Sequence, residues 1–173
     1  MNKTKILLFA PIFVLLGWVL SVQSMISSGI KMELPVRGYD PRDILAGHYL
    51  SVEVDFDGFP SECQVKDDDN KSLRWKRRDA FFCASSGRIV LERTGGCDTF
   101  IKGHCWYNRF HSNISRFYVP EKMSRPLEKA VRNKENTPML RVSIAEDGKA
   151  YPLDLILQGM PFKEWLKLHP ERK

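Results

Sequence analysis

No internal repeat and no low-complexity tract runs through the 173 residues, which excludes a solenoid or repeat array. Histidine is scarce: His48, His104, His111 and His169 are the four, and no Ser or Asp is tied to them by spacing. A nucleophile–base–acid arrangement therefore cannot be read from the chain. The four cysteines form no C-x-x-C pair of the kind structural zinc sites use. Asp67-Asp68-Asp69-Asn70 lacks the glycine and terminal glutamate of an EF-hand loop, which leaves a solvated turn between two strands. Charge is missing altogether from Ile6 to Ile30. What remains is ordinary for a globular protein, 43% hydrophobic and 28% charged, and the length bounds it to one domain plus an appendage. A net charge of +6 tilts the surface toward anionic partners.

The uncharged stretch defines the appendage. Lys3 and Lys5 precede it and Lys31 ends it, and a bilayer core needs about 20 helical residues, so the stretch is long enough to span. The two lysines and the α-amino group put its start in the cytoplasm and the remainder outside, by the positive-inside rule. The division is then 1–30 as anchor and 31–173 as an exported domain. Cleavage as a signal peptide after Val22-Gln23-Ser24 is a second reading, and a buried core helix is a third.

In an exported domain Cys63, Cys83, Cys97 and Cys105 read as two disulfides, with three possible pairings. Order along the chain points to Cys63–Cys83 and Cys97–Cys105, each closing a short loop that Gly95-Gly96 and Gly103 help to fold back. The rival is zinc on Cys97, His104, Cys105 and His111, but adjacent strand residues such as His104 and Cys105 point to opposite faces.

The pattern of the domain is mainly β (α+β): a small antiparallel, β-rich unit with one or two short helices. Asp40-Pro41-Arg42-Asp43 has the signature of a helix start, with Gly47 placed to end the turn. Leu50, Val52, Val54 and Phe56 alternate with Ser51, Glu53, Asp55 and Asp57, as in a strand with one wet face. Strands are also predicted at Ala80–Cys83, Arg88–Arg93 and Phe117–Val119. A helix is predicted from Ser124 to Arg132, with Leu127, Ala130 and Val131 on its apolar stripe and a Glu128–Arg132 pair. Asp147-Gly148 predicts a two-residue hairpin turn whose paired numbers sum to 295, so that Leu140 meets Leu155, Val142 meets Leu153, Ile144 meets Tyr151, Arg141 meets Asp154 and Glu146 meets Lys149. Pro152 places the second strand at an edge. Pro161 starts a last short helix whose Phe162, Trp165 and Leu166 read as a docked C-terminal face.

The stretch from Leu34 through Asp40, Pro41, Arg42, Asp43, Gly47, His48 and Tyr49 to Val54 resembles the start of the GDYXXLXY protein family. Gly47 and Tyr49 match the motif that names it, Val52 stands in for its Leu, and His48 and Val54 depart from it. A second patch, Phe117-Tyr118-Val119-Pro120-Glu121 with Leu127-Glu128, is similar to the family's Tyr-x-Val-x-Glu…Glu segment, and the Asp147-Gly148 hairpin is similar to its closing strands. The resemblance implies a bacterial inner-membrane protein with an N-terminal membrane segment and the domain in the periplasm or outside the cell. It implies no activity, because the family has none established.

Three function classes survive. The first is an accessory or interaction protein that docks on another membrane component. The second is a binding module for anionic lipid headgroups or an acidic polymer, through Lys71, Arg74, Lys76, Arg77 and Arg78 around Trp75. Nucleic acid is not an expected partner outside the cytoplasm, and no cofactor or metal is expected. The third is an envelope hydrolase using carboxylates from Glu53, Asp55 and Asp57 as acid and base. A signal-peptidase-like enzyme does not fit: laid on Gly47, the nucleophile position falls on Tyr39, where no Ser sits.

Overall fold

The computed structural model describes residues 3–39, 49–64, 76–93, 96–114 and 117–169. The helix start and turn expected at 40–48, the acidic turn at 67–70 and the part of the basic cluster at 71–75 lie outside the described residues.

The uncharged stretch is one helix, α1 (Lys3–Ser28), and its 20 residues Phe9–Ser28 are long and apolar enough to cross a membrane. None of that span is buried within the protein, so the core-helix reading fails. After Gly29 the chain enters β1 (Ile30–Tyr39) directly. The first half of β1 pairs with β8 (Met139–Ile144) and its second half with β2 (Tyr49–Val54). With β7 (Phe117–Tyr118), β9 (Ala150–Leu157) and β10 (Met160–Pro161) they form a six-stranded antiparallel sheet, ordered β10-β9-β8-β1-β2-β7. A second sheet, ordered β4-β3-β5-β6, is made of β3 (Arg78–Cys83), β4 (Arg88–Val90), β5 (Phe100–Trp106) and β6 (Arg109–Ser112).

The alternation read in the sequence decides which side chains meet. Leu34, Val142 and Leu155 from the larger sheet share one core with Phe82, Ile101 and Phe110 from the smaller. Each such burial contributes about 1.5–3 kcal/mol. Val54 and Phe56 are buried as the strand pattern requires. The helix expected at Ser124 begins earlier, as α2 (Glu121–Arg132), because Pro120 already has backbone angles suited to precede a helix. Its stripe of Leu127, Ala130 and Val131 is buried, and Glu128 holds Arg132 at 2.9 Å. The last helix, α3 (Phe162–Leu168), is docked: Phe162 and Trp165 are buried, and the Trp165 indole N–H donates to Gln158 at 3.3 Å.

The 147–148 hairpin forms with a different turn. Ala145 and Lys149 close a three-residue loop, with Gly148 left-handed at φ 79°. This is a type I turn followed by a left-handed residue, a common alternative to the two-residue turn. Near the turn the register is therefore one residue off the expected one, with Ile144 opposite Ala150 and Val142 opposite Pro152. Leu140 and Leu155 nevertheless meet as expected, because a bulge at Leu153 restores the register between Arg141 and Val142. Pro152 has no N–H to lose from the ladder, so the bulge costs least beside it. Arg141 stands opposite Asp154 as expected, but the side-chain ion pairs are others. Arg141 turns to Glu33 on β1 at 2.7 Å, and Lys149 pairs with Asp147 at 3.1 Å.

The cysteine pairing also differs from the local one. The bonds are Cys63–Cys105 and Cys83–Cys97, with Cα–Cα separations of 5.3 and 5.2 Å. Strand geometry explains why. β5 runs straight from Phe100 to Trp106, so at about 3.3 Å per residue the segment cannot fold Cys105 back onto Cys97. Gly103 does not bend it. A β-carbon there would strike the Phe110 ring and the His111 carbonyl, so glycine serves a close approach to β6. Cys105 and Cys83 point to opposite faces of the small sheet. Cys63 reaches the inner face because its loop runs beside β4, with Glu62 N–H on the Ile89 carbonyl and Ile89 N–H on that of Pro60. Cys97 reaches the other face, where Ala84 N–H donates to Thr99 and Ser85 to Gly96.

Candidate functional site

Three regions of the described residues hold chemistry, and each tests a sequence expectation. The first is the junction between α1 and the domain. The Ser143 hydroxyl of β8 donates to the Ile26 carbonyl in the last turn of α1 at 2.6 Å. Gly29 lies so close to Ser143 and Ile144 that a β-carbon could not be added. The helix end is thus clasped to the six-stranded sheet, with no linker between them.

The second region is the outer face of the small sheet. Residues opposite one another across β3, β5 and β6 form a row of Asp79, His104 and His111. Trp106 pairs with Arg109 at the end of the β5–β6 ladder. The His104 and His111 rings stack with centroids 5.5 Å apart. Arg77 Nη2 lies 3.1 Å from His104 Nδ1. A guanidinium can only donate, so Nδ1 accepts and the imidazole is neutral. Partial burial, then the Arg77 charge and His111, hold His104 below the usual histidine range, against the pull of Asp79.

This arrangement divides the basic cluster. Lys76 and Arg77 are exposed, as an anion site needs. Arg78 is not part of that surface. It is half-buried, and its guanidinium donates to the Cys63 carbonyl at 3.0 Å, holding the loop that the long disulfide pins. Arg78 begins β3 opposite Cys105, and strand alternation turns it inward. Lys71 and Arg74 lie outside the described residues. The same alternation removes the zinc reading. Cys97 and Cys105 are both oxidised, in different bonds, and His104 faces away from Cys105.

The third region is the wet face of β2 and the turn after it. Arg37 on β1 donates to Asp55 at 2.7 Å and to Asp57 at 3.4 Å, and Arg109 stands 3.7 Å from Asp57. The bond to Asp55, reinforced by its charge and that of Asp57, raises the Arg37 pKa further. An acid–base pair needs one carboxyl able to hold a proton and one free to take it. Asp55 and Asp57 instead share the Arg37 guanidinium in a surface ion network. Glu53 is exposed on the same face.

The residues that carry the family resemblance are brought together where they can be seen. Tyr49 opens β2 directly opposite Tyr118 on β7, so the two motif patches are hydrogen-bonded neighbours. Tyr118 is 69% exposed, and Glu121 is the first residue of α2. Asp40, Pro41, Arg42, Asp43, Gly47 and His48 lie outside the described residues. Arg37 and the Ser143 clasp were not anticipated. The signal for Arg37 was present, since a cation on one strand beside an acidic row on the next invites pairing, but it required knowing that β1 pairs β2.

Compared with known proteins, the chain matches the family model described as GDYXXLXY protein over residues 11–155. No curated protein matches, and no solved structure does.

Proposed function

The chain belongs to the GDYXXLXY family, and from that premise we propose a single-pass protein of the bacterial inner membrane. Its domain stands in the periplasm or outside the cell and serves, without catalysis, as an accessory module docked to another membrane component. The observation that carries this reading is the clasped junction, Ser143 to Ile26 with Gly29 packed against it. A tethered binder that searches for soluble ligands gains from a flexible linker. A domain fixed at one angle to its helix suits a partner that is also fixed in the membrane. Lys3 and Lys5 before the span and two disulfides after it support the orientation, since such bonds persist in oxidising compartments.

Purification of the full chain from its own membranes in mild detergent tests the proposal. The expected outcome is a complex in which a second membrane protein is present in fixed stoichiometry, and which dissociates when a flexible Gly-Ser linker is inserted at Gly29. A chain that runs alone, with or without the linker, contradicts it.

A second reading, binding of an acidic polymer, keeps Lys76 and Arg77, which are exposed, with Arg77 beside His104. It predicts that the full chain is retained on an anionic polymer at low salt and less so as Lys76→Gln/Arg77→Gln, the difference fading as salt rises. Equal retention of both contradicts it.

A further inference from the structure

The turn after β2 and the turn between β5 and β6 enclose a cleft of about 430 Å³. Its floor is apolar: Phe56, Phe59, Phe110 and Ile89. Phe56 meets Phe110 edge-on at 4.9 Å, and Phe59 meets Phe82 in the same manner at 4.9 Å, so the floor is firm. Around it stand polar groups of both kinds, including Asp57, Ser61, Gln64, Asn108 and Arg109. A firm apolar floor, a few convergent polar groups and this volume are what small-ligand sites share.

The β5–β6 turn adds an independent sign. Tyr107 and Asn108 both have left-handed backbone angles, φ 49° and 61°. A two-residue hairpin turn demands this geometry, and Asn or Gly meets it readily. A bulky residue such as tyrosine does so only under strain. The strained position sets Tyr107 in the cleft wall while leaving it 47% exposed. It packs edge-on to Trp106 at 4.6 Å, which is itself 46% exposed. Strain held at one residue, with two large aromatics kept half in water beside a cleft, points to a ligand.

The polar groups narrow its chemistry. Asn108 lines the cleft and brings a side-chain amide to its wall. Asp57 is held only loosely, at 3.4 Å by Arg37 and 3.7 Å by Arg109, longer than strong charge-assisted bonds. It retains acceptor capacity, and Arg109 retains donors. Asp57 repels an anion and Arg109 repels a cation. An apolar tail would leave these groups unpaired. A molecule with one apolar C–H face and a ring of hydroxyls that both donate and accept satisfies the whole set. We propose that this cleft binds a pyranose sugar, as one or two rings of an envelope polysaccharide, with Tyr107 stacked on the sugar face.

The position agrees with a polymer and not with the lipid surface at the foot of α1. β5 starts where Lys102 N–H meets the Gly148 carbonyl, and the 145–147 turn borders the end of α1. The strand then carries Trp106 about 20 Å along from Phe100, at 3.3 Å per residue. Only the source of the sugar rests on the exported location proposed above; the binding itself does not.

The full chain in lipid nanodiscs, titrated with cellobiose, maltose and diacetylchitobiose, decides the matter by tryptophan fluorescence. At least one sugar should give a saturable response, with affinity about millimolar or tighter. Tyr107→Phe should bind within about threefold, and Tyr107→Ala at least about tenfold more weakly. Tyr107→Gly separates binding from folding: glycine relieves the strained turn, so melting temperature should hold or rise while binding is lost. No saturable response to any of the three sugars at tens of millimolar overturns the proposal. So does unchanged binding by Tyr107→Gly, or displacement of the sugar by inorganic phosphate at equal concentration, which would mark an anion site. A topology reporter that found the domain in the cytoplasm would remove the envelope source and the exported reading, yet leave the sugar titration standing.

Discussion

The six-stranded sheet contains no cysteine, whereas the four-stranded sheet and the loops packed on it hold all four. The larger sheet has long ladders: β8 pairs six residues with β1 and six with β9. It is tied to α1 by Ser143. The smaller sheet has one ladder of six pairs, between β3 and β5, flanked by strands of three and four residues. Short strands bury little surface of their own, and disulfides are the usual supplement where a core is small. The two bridges therefore stand on the smaller sheet, beside its short outer strands. The Cys63–Cys105 bridge also holds the two turns that frame the proposed sugar cleft, since Cys63 follows one turn and Cys105 precedes the other.

This contrast can be broken in graded steps. Removing the long bridge as Cys63→Ala/Cys105→Ala should have the largest effect. Its 42-residue separation corresponds to about 4 kcal/mol in the chain-entropy model, and the 14-residue separation of the other bridge to about 3 kcal/mol. For a chain of this size a loss of 4 kcal/mol lowers the melting temperature by roughly 8–16 °C. Equal effects from both bridges would blur the assignment of roles. In the larger sheet, Leu34→Ala empties a fully buried position opposite Leu140 and should cost about 3 kcal/mol, by the same amount in oxidised and reduced protein. A cost that depends on reduction would mean that the bridges act on the larger sheet through the shared core.

Ser143→Ala is a finer probe. It removes one hydrogen bond, about 1 kcal/mol, but should broaden the spin-label distance distribution between α1 and β9 while the thermal midpoint moves little. An unchanged distribution would show that the clasp does not fix the helix. The smallest expected effect concerns pH. The folded-state pKa of His104 lies below the usual value of about 6.5, so the unfolded chain binds its proton first as pH falls. The stability this position contributes is complete above that value and declines as pH drops from there to the folded-state pKa. His104→Gln should flatten the dependence in that window by a few tenths of a kcal/mol after solvent screening. An identical pH profile for the variant would contradict the sign.

How much was legible in the sequence follows the range of the interactions. Alternation at Leu50–Phe56, the apolar stripe of α2 and the charge-free span were readable because each is set by neighbours a few residues apart. The hairpin was located correctly, but its turn type rested on Asp147-Gly148 alone, and two turns accept that pair. The cysteine pairing failed because it depends on which face of which strand each thiol occupies. That is fixed by the β3–β5 register and by the 60–63 loop lying along β4, neither of which is local. Arg78 was counted with Arg77 for the same reason, since one residue of register separates an exposed cation from a half-buried latch. The cleft was invisible in the sequence because Phe56 and Phe110 lie far apart in it and meet only through sheet packing.

Peptide mapping of the full chain, taken from its own membranes with thiols blocked at lysis and kept non-reduced, tests the account most directly. It predicts two linked peptides, one joining Cys63 to Cys105 and one joining Cys83 to Cys97, with no blocked thiol. Linkage of Cys63 to Cys83 and Cys97 to Cys105 would contradict the fold of the smaller sheet, and four blocked thiols would contradict the location of the domain outside the cytoplasm.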